Sequence, residues 1–363
     1  MTYHSVFLIK SPLQYLNALE ALSAFELNPE QAMLLLMADR KSMPQLQALI
    51  RPEQRWGCVV HLADAPLRWS DESLRHVETG RSSYFGNPLF AIRKLRNLSR
   101  VLTGLKYVVI GDMGNPLMRH FANSARNAVV IVLDDGTATL KYSRERANKA
   151  TPGALTPTRK KLQLTLKRRL LGLRDDRLPE IVFFSVYEIE TRKPDRFVKN
   201  LFERLRNTTP TLGATESIYF LGGPLVESGE LTEAEYQAQL LTAKTALGDA
   251  VTYVAHRREA RDKVQRLCAN LGWQSCLFDY PIEYQLAVVG PRPQILASFI
   301  SSALLNCRLI FGDTLDIRSF KLHPDHFAHH SSEKGRRIEA IYDEYQASDI
   351  SVVDMLTLPV SKS

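Results

Sequence analysis

Short apolar runs alternate with amphipathic stretches over the first part of the chain. The run VFLI (6–9) precedes LQYLNALEALSAF, and the same order recurs as far as AVVIVLDDG (128–136). Apolar strands that alternate with helices are typical of a parallel sheet covered by helices on both faces. The pattern therefore predicts an α/β, Rossmann-like domain, whose other strands are AMLLLM (32–37), CVVHL (58–62) and YVVIG (107–111).

The alternation stops at about 140–178, where Lys, Arg, Thr and Pro are frequent, and then starts again. A second α/β series follows, and it predicts two facing Rossmann-like domains with parallel sheets and a ligand cleft between them. Its predicted strands are IVFFSVY (181–187), SIYFLGG (217–223), AVTYVAH (250–256), QSCLF (274–278), QLAVVG (285–290) and RLIFG (308–312).

These patterns suggest three parts, and 363 residues suit two domains of ordinary size. We expect an N-terminal domain over 1–190, which includes a basic segment at 151–178. A C-terminal domain over 191–330 follows, and 331–363 forms a helical extension.

Within the basic segment, residues 159–174 read RKKLQLTLKRRLLGLR and include no acidic residue. The leucines at 162, 166, 170 and 173 recur at helical spacing and indicate an amphipathic helix. Two interpretations remain open. The helix lies on an anionic membrane surface, or its leucines cover the core of the N-terminal domain while its cations face water.

The formal net charge of +8 favours an anionic partner, although a basic surface also serves solubility. No apolar run reaches the roughly 18–20 residues that cross a bilayer. The first residues, MTYHSVFLIKSPLQ, do not resemble a secretory leader, and the four cysteines form no CxxC pair. We expect a cytoplasmic protein, with peripheral contact at the inner face of the plasma membrane as an open alternative.

Several common site motifs are missing from the sequence. No GxGxxG follows the first strand and no GxxxxGK[ST] occurs, which argues against dinucleotide oxidoreductases and P-loop NTPases. No DxD pair occurs, which disfavours a transferase that grips a nucleotide diphosphate through a metal. No acidic or cysteine residue near the four histidines at 323, 326, 329 and 330 completes a defined ligand set, which favours a solvated loop over a metal site.

Two polar clusters follow predicted strands. Asp134, Asp135 and Gly136 end the strand AVVIVL, where side chains point into the ligand crevice of an open α/β sheet. Mutual repulsion of the two carboxylates would raise one pKa towards the range of a general base. The alternative is a turn with an aspartate helix cap.

The second cluster, His256, Arg257, Arg258 and Glu259, follows VTYVA. Its histidine and arginines suit a phosphate, whereas the alternative is a solvated charged turn.

Glu283 and the paired serines Ser301 and Ser302 complete the set of candidate residues. A serine at a helix N-terminus can help to bind an anion, and Glu283 could accept hydrogen bonds from a ribose or a base. Taken singly, these residues are more often an ordinary helix cap and a surface glutamate.

The order of these motifs resembles that of bacterial sialyltransferases. SPLQYLNALEA (11–21), the DDG, the His-Arg-Arg-Glu, the Pro-x-Glu at 281–283 and the paired serines follow one another as in that family. The sequence is similar, over roughly 5–320, to lipooligosaccharide sialyltransferases and more distantly to capsular polysialyltransferases. The family's His-Pro motif is matched at His256 but not at Arg257.

The resemblance implies a GT-B fold and inversion at the anomeric carbon, with no metal and no cofactor besides the CMP-sugar donor. It implies that Asp135 is the general base, with Asp134 as the alternative. His256 would hydrogen-bond or protonate the departing CMP phosphate. Ser301 and Ser302, with Arg257 and Arg258, would hold that phosphate, and Glu283 would contact the ribose or cytosine.

The expected function is therefore transfer of sialic acid, or a related nonulosonic acid, from its CMP donor to a hydroxyl of a surface glycan. The acceptor would be a lipopolysaccharide, lipooligosaccharide or capsule precursor. Two alternatives remain: a GT-B transferase that uses a nucleotide diphosphate sugar, and a non-enzymatic basic protein that binds nucleic acid or membrane.

Overall fold

The computed structural model describes residues 2–50, 55–64, 88–125, 127–136, 138–148, 172–208, 213, 215–322 and 332–357. The chain forms two compact units, Met1–Asn200 and Leu201–Ser363. The division falls ten residues after the boundary expected at 190.

The first unit is a seven-stranded parallel sheet with helices. Its strand order is β3-β2-β1-β4-β5-β6-β7. The central strands are fully buried on both faces, which explains why their sequences are continuous apolar runs. The strands are β1 (Ser5–Ile9), β2 (Ala32–Leu36), β3 (Cys58–His61), β4 (Tyr107–Ile110), β5 (Val129–Leu133), β6 (Val182–Ser185) and β7 (Arg196–Lys199). The helices are α1 (Pro12–Ala24), α2 (Met43–Leu49), α3 (Pro88–Val101), α4 (Pro116–Ser124) and α5 (Ala138–Asn148).

The second unit repeats this plan with six parallel strands in the order β10-β9-β8-β11-β12-β13. Its strands are β8 (Ile218–Leu221), β9 (Val251–Val254), β10 (Gln274–Cys276), β11 (Ile295–Ser298), β12 (Asp316–Lys321) and β13 (Ser351–Asp354). Its helices are α6 (Glu203–Thr208), α7 (Glu233–Leu247), α8 (Arg261–Leu271), α9 (Ile282–Tyr284), α10 (Ser302–Phe311) and α11 (Ser332–Ala347). The predicted α/β class with two Rossmann-like parallel sheets is confirmed.

Three strands predicted for the second series are wrong in place or in type. The run IVFFSVY contains β6, which belongs to the first sheet. The run QLAVVG is a wide helical turn over Gln285–Val289, and RLIFG is the last part of α10. Short apolar runs fit a buried strand or a buried helical turn equally well, so periodicity alone does not separate them. The sheet is instead completed by β11, β12 and β13, and the last of these replaces part of the helical extension expected at 331–363.

The basic segment lies mostly outside the described residues, because these resume at Gly172. Of its leucine stripe only Leu173 is described, and this side chain is buried. The histidines at 323, 326, 329 and 330 also lie outside the described ranges. No helix within those ranges is long and apolar enough to span a membrane.

Candidate functional site

Each sheet has a switch point where the chain order reverses, and the candidate residues gather at these two places. In the first sheet β1 lies between β2 and β4, and in the second β8 lies between β9 and β11. Loops on either side of such a point run in opposite directions and leave a crevice at the carboxyl ends of the strands, where open α/β sheets bind ligands.

The switch point of the first sheet holds a cluster of one cation and two carboxylates. Lys10 follows β1, and its Nζ lies 2.5 Å from Asp112 Oδ2 and 3.3 Å from Asp135 Oδ2. Gln14 Nε2 donates to Asp135 Oδ1 over 2.7 Å. Asp135 is therefore held by two side chains of the first strand-helix junction while its own side chain is 26% exposed, so solvent can reach it.

Charge within this cluster favours a protonated lysine. Burial lowers the pKa of Lys10, but hydrogen bonding to Asp112 and the charges of both carboxylates outweigh this and raise it above its usual value. Burial and the same two carboxylates raise the pKa of the nearby Tyr142 phenol. Lys10 therefore stays a cation that holds two anionic groups in place.

The SPLQ sequence explains why Gln14 points into the site. Ser11 is the N-cap of α1, its hydroxyl accepts from the Gln14 N–H, and Pro12 starts the helix. Gln14 Oε1 accepts from the Lys10 N–H over 2.8 Å, which turns the side-chain amide towards Asp135. A side chain at Gly111 would collide with this amide, so the glycine leaves the space that Gln14 occupies.

The neighbouring Asp134 is a structural residue. It is 2% exposed, and its Oδ2 accepts from the Val186 N–H over 2.7 Å. Burial raises its pKa to about 6 against the opposing effects of hydrogen bonds, the Ser185 hydroxyl and the Val186 N–H among them. The pKa increase was expected from repulsion between the two aspartates, but its main cause is burial, and it falls on the carboxyl that solvent does not reach.

The switch point of the second sheet holds the His256 turn, which directly follows β9. His256 Nδ1 accepts from the Arg258 N–H over 3.2 Å, so in the neutral ring the proton is on Nε2. Burial, and then the charges of Arg257 and Arg258, lower the pKa of His256 to about 4. At neutral pH His256 is consequently a neutral donor that presents an Nε2–H.

A buried ionic network, which we call the Lys263 network, supports this turn. Lys263 Nζ lies 2.7 Å from Glu259 Oε1 and 3.0 Å from Glu227 Oε1, and both Lys263 and Glu259 are at most 3% exposed. Glu259 Oε2 accepts from the His256 N–H over 2.7 Å, and Glu227 accepts from the Ala260 N–H. The network therefore fixes both ends of the turn that carries the histidine.

Two tyrosines and a glycine complete the Lys263 network. Tyr253 Oη donates to Glu259 Oε1 over 2.7 Å and lies 3.0 Å from Tyr236 Oη. A side chain at Gly222, just after β8, would collide with Tyr253 and Glu259. The glycine allows the loop after β8 to approach the turn after β9, as close packing at this switch point requires.

Ser301 is the N-cap of α10, and its Oγ accepts from the Ala303 N–H over 3.3 Å. This bond leaves the hydroxyl proton available to an anion. Tyr345 holds the Ser301 backbone by bonding to its N–H and its carbonyl. Ser302 is the first residue of α10 and is partly exposed. Because β8 separates β9 from β11, the serines and the His256 turn follow strands that are about 10 Å apart.

Glu283 is buried, which rules out the alternative interpretation of an ordinary surface glutamate. It is 4% exposed, and Asn306 Nδ2 donates to its Oε1 over 2.8 Å. Burial raises its pKa, against the opposing hydrogen bond from Asn306 and the charge of Arg257. Glu283 thus contacts α10 through Asn306 and lies within range of the charge of Arg257, and direct contact with a ribose or base would require this buried region to open.

The structure thus brings Asp135 together with Lys10, Gln14 and Asp112, and it assembles His256 with Glu259, Lys263 and Glu227. Sequence patterns identified Asp135 and His256 but gave no role to most of their partners. Among these partners, only Gln14 lies inside a motif that the sequence analysis had singled out, namely SPLQ. Within the described ranges, no group of three or more His, Cys, Asp or Glu side chains is arranged to hold a metal ion.

Comparison with known proteins finds similarity among solved structures only. No protein-family model matches the chain, and no curated protein sequence matches it significantly. A UGT transferase from Siraitia grosvenorii, solved with UDP, is 8% identical over 98% of this chain and 87% of that one, with a TM-score of 0.48.

A 2,6-sialyltransferase from Vibrionaceae Photobacterium sp. JT-ISH-224, solved with CMP and lactose, is 11% identical over 96% of this chain and 78% of that one, with a TM-score of 0.46. MurG from Acinetobacter baumannii is 8% identical over 99% of this chain and 88% of that one, with a TM-score of 0.44. These similarities concern the fold, so a functional assignment depends on the side chains described above.

Proposed function

We propose that the protein is an inverting glycosyltransferase of the GT-B class. More specifically, the donor is a CMP-activated sialic acid or related nonulosonic acid, and the acceptor is a hydroxyl of a surface glycan precursor. The observation that carries this proposal is the chemistry of the two switch points. One presents the accessible carboxylate Asp135, and the other presents a neutral histidine donor beside two arginines.

In the proposed reaction Asp135 removes the proton from the acceptor hydroxyl. The acceptor oxygen then attacks the anomeric carbon, the bond from that carbon to the phosphate oxygen breaks, and its electron pair leaves on CMP. A single displacement of this kind inverts the anomeric centre. Lys10 and Gln14 hold the base in one orientation, since each contacts a different oxygen of Asp135.

The leaving phosphate gains negative charge as the bond breaks, and the second unit supplies groups that stabilise it. His256 Nε2–H donates a hydrogen bond, and Arg257 and Arg258 supply positive charge. The Ser301 hydroxyl and the N-terminus of α10 supply further donors. One phosphate with a limited charge can be stabilised by these groups alone, so the proposed reaction includes no metal.

The test is turnover with a panel of donors. The full chain would be incubated with CMP-sialic acid, related CMP-sugars, and UDP- and GDP-sugars, together with lactose or lipooligosaccharide fragments as acceptors. We expect CMP release and a new glycosidic product with CMP donors only. Release of UDP or GDP at a comparable rate would replace the donor assignment, and the absence of release from every donor would contradict the transferase itself.

A further inference from the structure

A polar cavity lies at the amino ends of strands in the first sheet, whereas Asp135 lies at the carboxyl end of β5. Its volume is about 260 Å³. It is placed at the amino ends of β6 and β7, because its lining includes residues 190–195, which lead into β7, and Pro179, which precedes β6. We call it the amino-edge cavity. Its charged lining residues are Arg146, Arg177, Glu190, Arg192, Lys193 and Asp195.

The buried part of the cavity lining is the ion pair of Arg146 and Asp195, and this pair is electrically neutral. Arg146 binds Asp195 through two hydrogen bonds of 2.5 and 2.6 Å, and both side chains are at most 7% exposed. Asp195 Oδ1 also accepts from the Ile181 N–H over 3.1 Å. The one buried carboxylate in the lining is therefore already neutralised, and it cannot serve the other cations.

The remaining charges are strongly unequal. Arg177, Arg192 and Lys193 face a single carboxylate, that of Glu190. In the described part of the chain none of these three cations has an ion-pair partner, and the one hydrogen bond of the Arg177 side chain goes to the carbonyl of Arg146. Among the lining residues outside the Arg146–Asp195 pair, three cations therefore stand against one carboxylate, an excess of two positive charges within the lining.

Local structure fixes the backbone turn that carries Arg192 and Lys193 and ties Arg177 to the same part of the lining. The Asp195 N–H donates to the Arg192 carbonyl over 2.9 Å and closes the turn that carries Arg192 and Lys193. The buried pair with Arg146 then anchors this turn at Asp195. Arg177 Nη2 donates to the carbonyl of Arg146 over 3.2 Å, so it is tied to the same buried pair. The side chains of Arg177, Arg192 and Lys193 are exposed, and the fixed backbone that carries them lowers part of the entropy cost of binding an anion.

We infer that the amino-edge cavity binds a phosphate monoester or free phosphate. A dianion matches the excess charge of two, whereas a carboxylate would leave half of it uncompensated. Guanidinium groups suit phosphate because they donate two parallel hydrogen bonds. The volume lies just below the range of about 300–1,000 Å³ that is usual for drug-sized ligands, so the ligand is a phosphate on a small polar group.

The test is hydrogen-deuterium exchange of the full chain, with and without inorganic phosphate at matched ionic strength. We expect slower exchange in peptides that cover 177–199. In an Arg192→Gln/Lys193→Gln double variant and in Arg177→Gln, the phosphate concentration needed for half of this protection should rise by about tenfold. Each variant removes charged hydrogen bonds to the anion. The matched control, Arg196→Gln/Arg318→Gln, also removes two surface charges but leaves the cavity lining intact, and it should retain protection.

Vesicles of phosphatidylcholine with or without phosphatidic acid separate the possible sources of the phosphate. Binding of phosphatidic acid vesicles that depends on Arg192 and Lys193 would assign a lipid headgroup, and phosphate protection without vesicle binding would assign a soluble ligand. The inference is overturned if phosphate leaves peptides 177–199 unchanged, or if the cavity variants behave like the control. Peptides around 256 and 301 report the proposed donor site separately, so failure of either proposal leaves the other testable.

Discussion

Gln14 Nε2 donates to Asp135 Oδ1 over 2.7 Å, across 121 positions of sequence. This bond joins the first strand-helix junction to the carboxylate that follows β5. Together with Lys10, which contacts the other oxygen, it leaves Asp135 with both oxygens engaged and its side chain still accessible.

Asp135→Asn should preserve the fold but remove transfer. An asparagine has the same shape, and its oxygen can still accept from Gln14, but it cannot take a proton. A general base contributes about 10²–10⁴-fold, so turnover should fall to about a hundredth or less. CMP release and thermal unfolding would be measured beside Asp249→Asn, an exposed control in the second unit. Turnover above about a tenth of the wild-type rate would exclude Asp135 as the base.

His256 variants should separate hydrogen bonding from acid catalysis. With a pKa of about 4, the free histidine donates a hydrogen bond at neutral pH without carrying a charge. His256→Ala should weaken CMP binding and lower turnover together, and His256→Gln should recover part of both because its amide can replace Nε2–H. Calorimetry with CMP gives the affinity, and His4→Ala is the matched control. Equal CMP affinity in all of these proteins would rule out the contact.

Lys263→Met should strongly destabilise the second unit. It leaves Glu259 buried without its cation, and breaking a buried ion pair in this way costs about 3–5 kcal/mol. Lys244→Met removes a lysine whose partner Asp249 is exposed, so it should cost less than about 1 kcal/mol. Urea unfolding measures both free energies. Similar losses in the two variants would mean that the Lys263 network contributes little to stability.

Transfer should not depend on a divalent cation. The proposed leaving-group contacts all come from side chains and helix N–H groups, and the sequence has no DxD pair. Activity with CMP-sialic acid should therefore survive an excess of EDTA after extensive dialysis. Loss of activity with EDTA, followed by recovery on addition of Mg²⁺ or Mn²⁺, would refute the scheme.

His120 should make the first unit sensitive to acid. Burial is the main cause that lowers its pKa from 6.5 to about 4, and the residue is fully buried. Between these values the unfolded chain holds one more proton than the folded protein, so stability falls as the pH drops from about 6.5 to 4. His120→Gln should remove about 2 kcal/mol of the stability loss between pH 7 and 5. Parallel stability curves for the two proteins, from urea unfolding at each pH, would contradict this.

The predictable features are those determined by local pattern. Apolar runs identified β1 to β6 of the first sheet but only β8, β9 and β10 of the second. Ser301 was recognised as a helix cap because a serine precedes an apolar helical stretch. QLAVVG was misassigned because a run of this length does not distinguish a strand from a turn that buries Leu286 and Ala287. The strand β12, DIRSFK, was not predicted because its charged residues interrupt the apolar pattern.

Contacts between distant positions could not be predicted in this way. Lys10 and Asp112 are 102 residues apart, and only the strand order that makes β1 and β4 neighbours brings them together. Likewise the motif His-Arg-Arg-Glu contained Glu259, but its role depends on Lys263 and Tyr253, which are buried beside it. Spacing along a sequence identifies candidate groups, whereas their partners and pKa values depend on packing.

The burial of Lys263 also gives the second unit a built-in chemical reporter. Its amine is 3% exposed and enclosed between two carboxylates, so an acylating reagent can reach it only after that part of the protein opens. Exposed lysines would be labelled at once, and Lys263 would be labelled at the rate of opening. The mass increase of its peptide over time would therefore report the local unfolding of this unit under native conditions, without any added dye or tag.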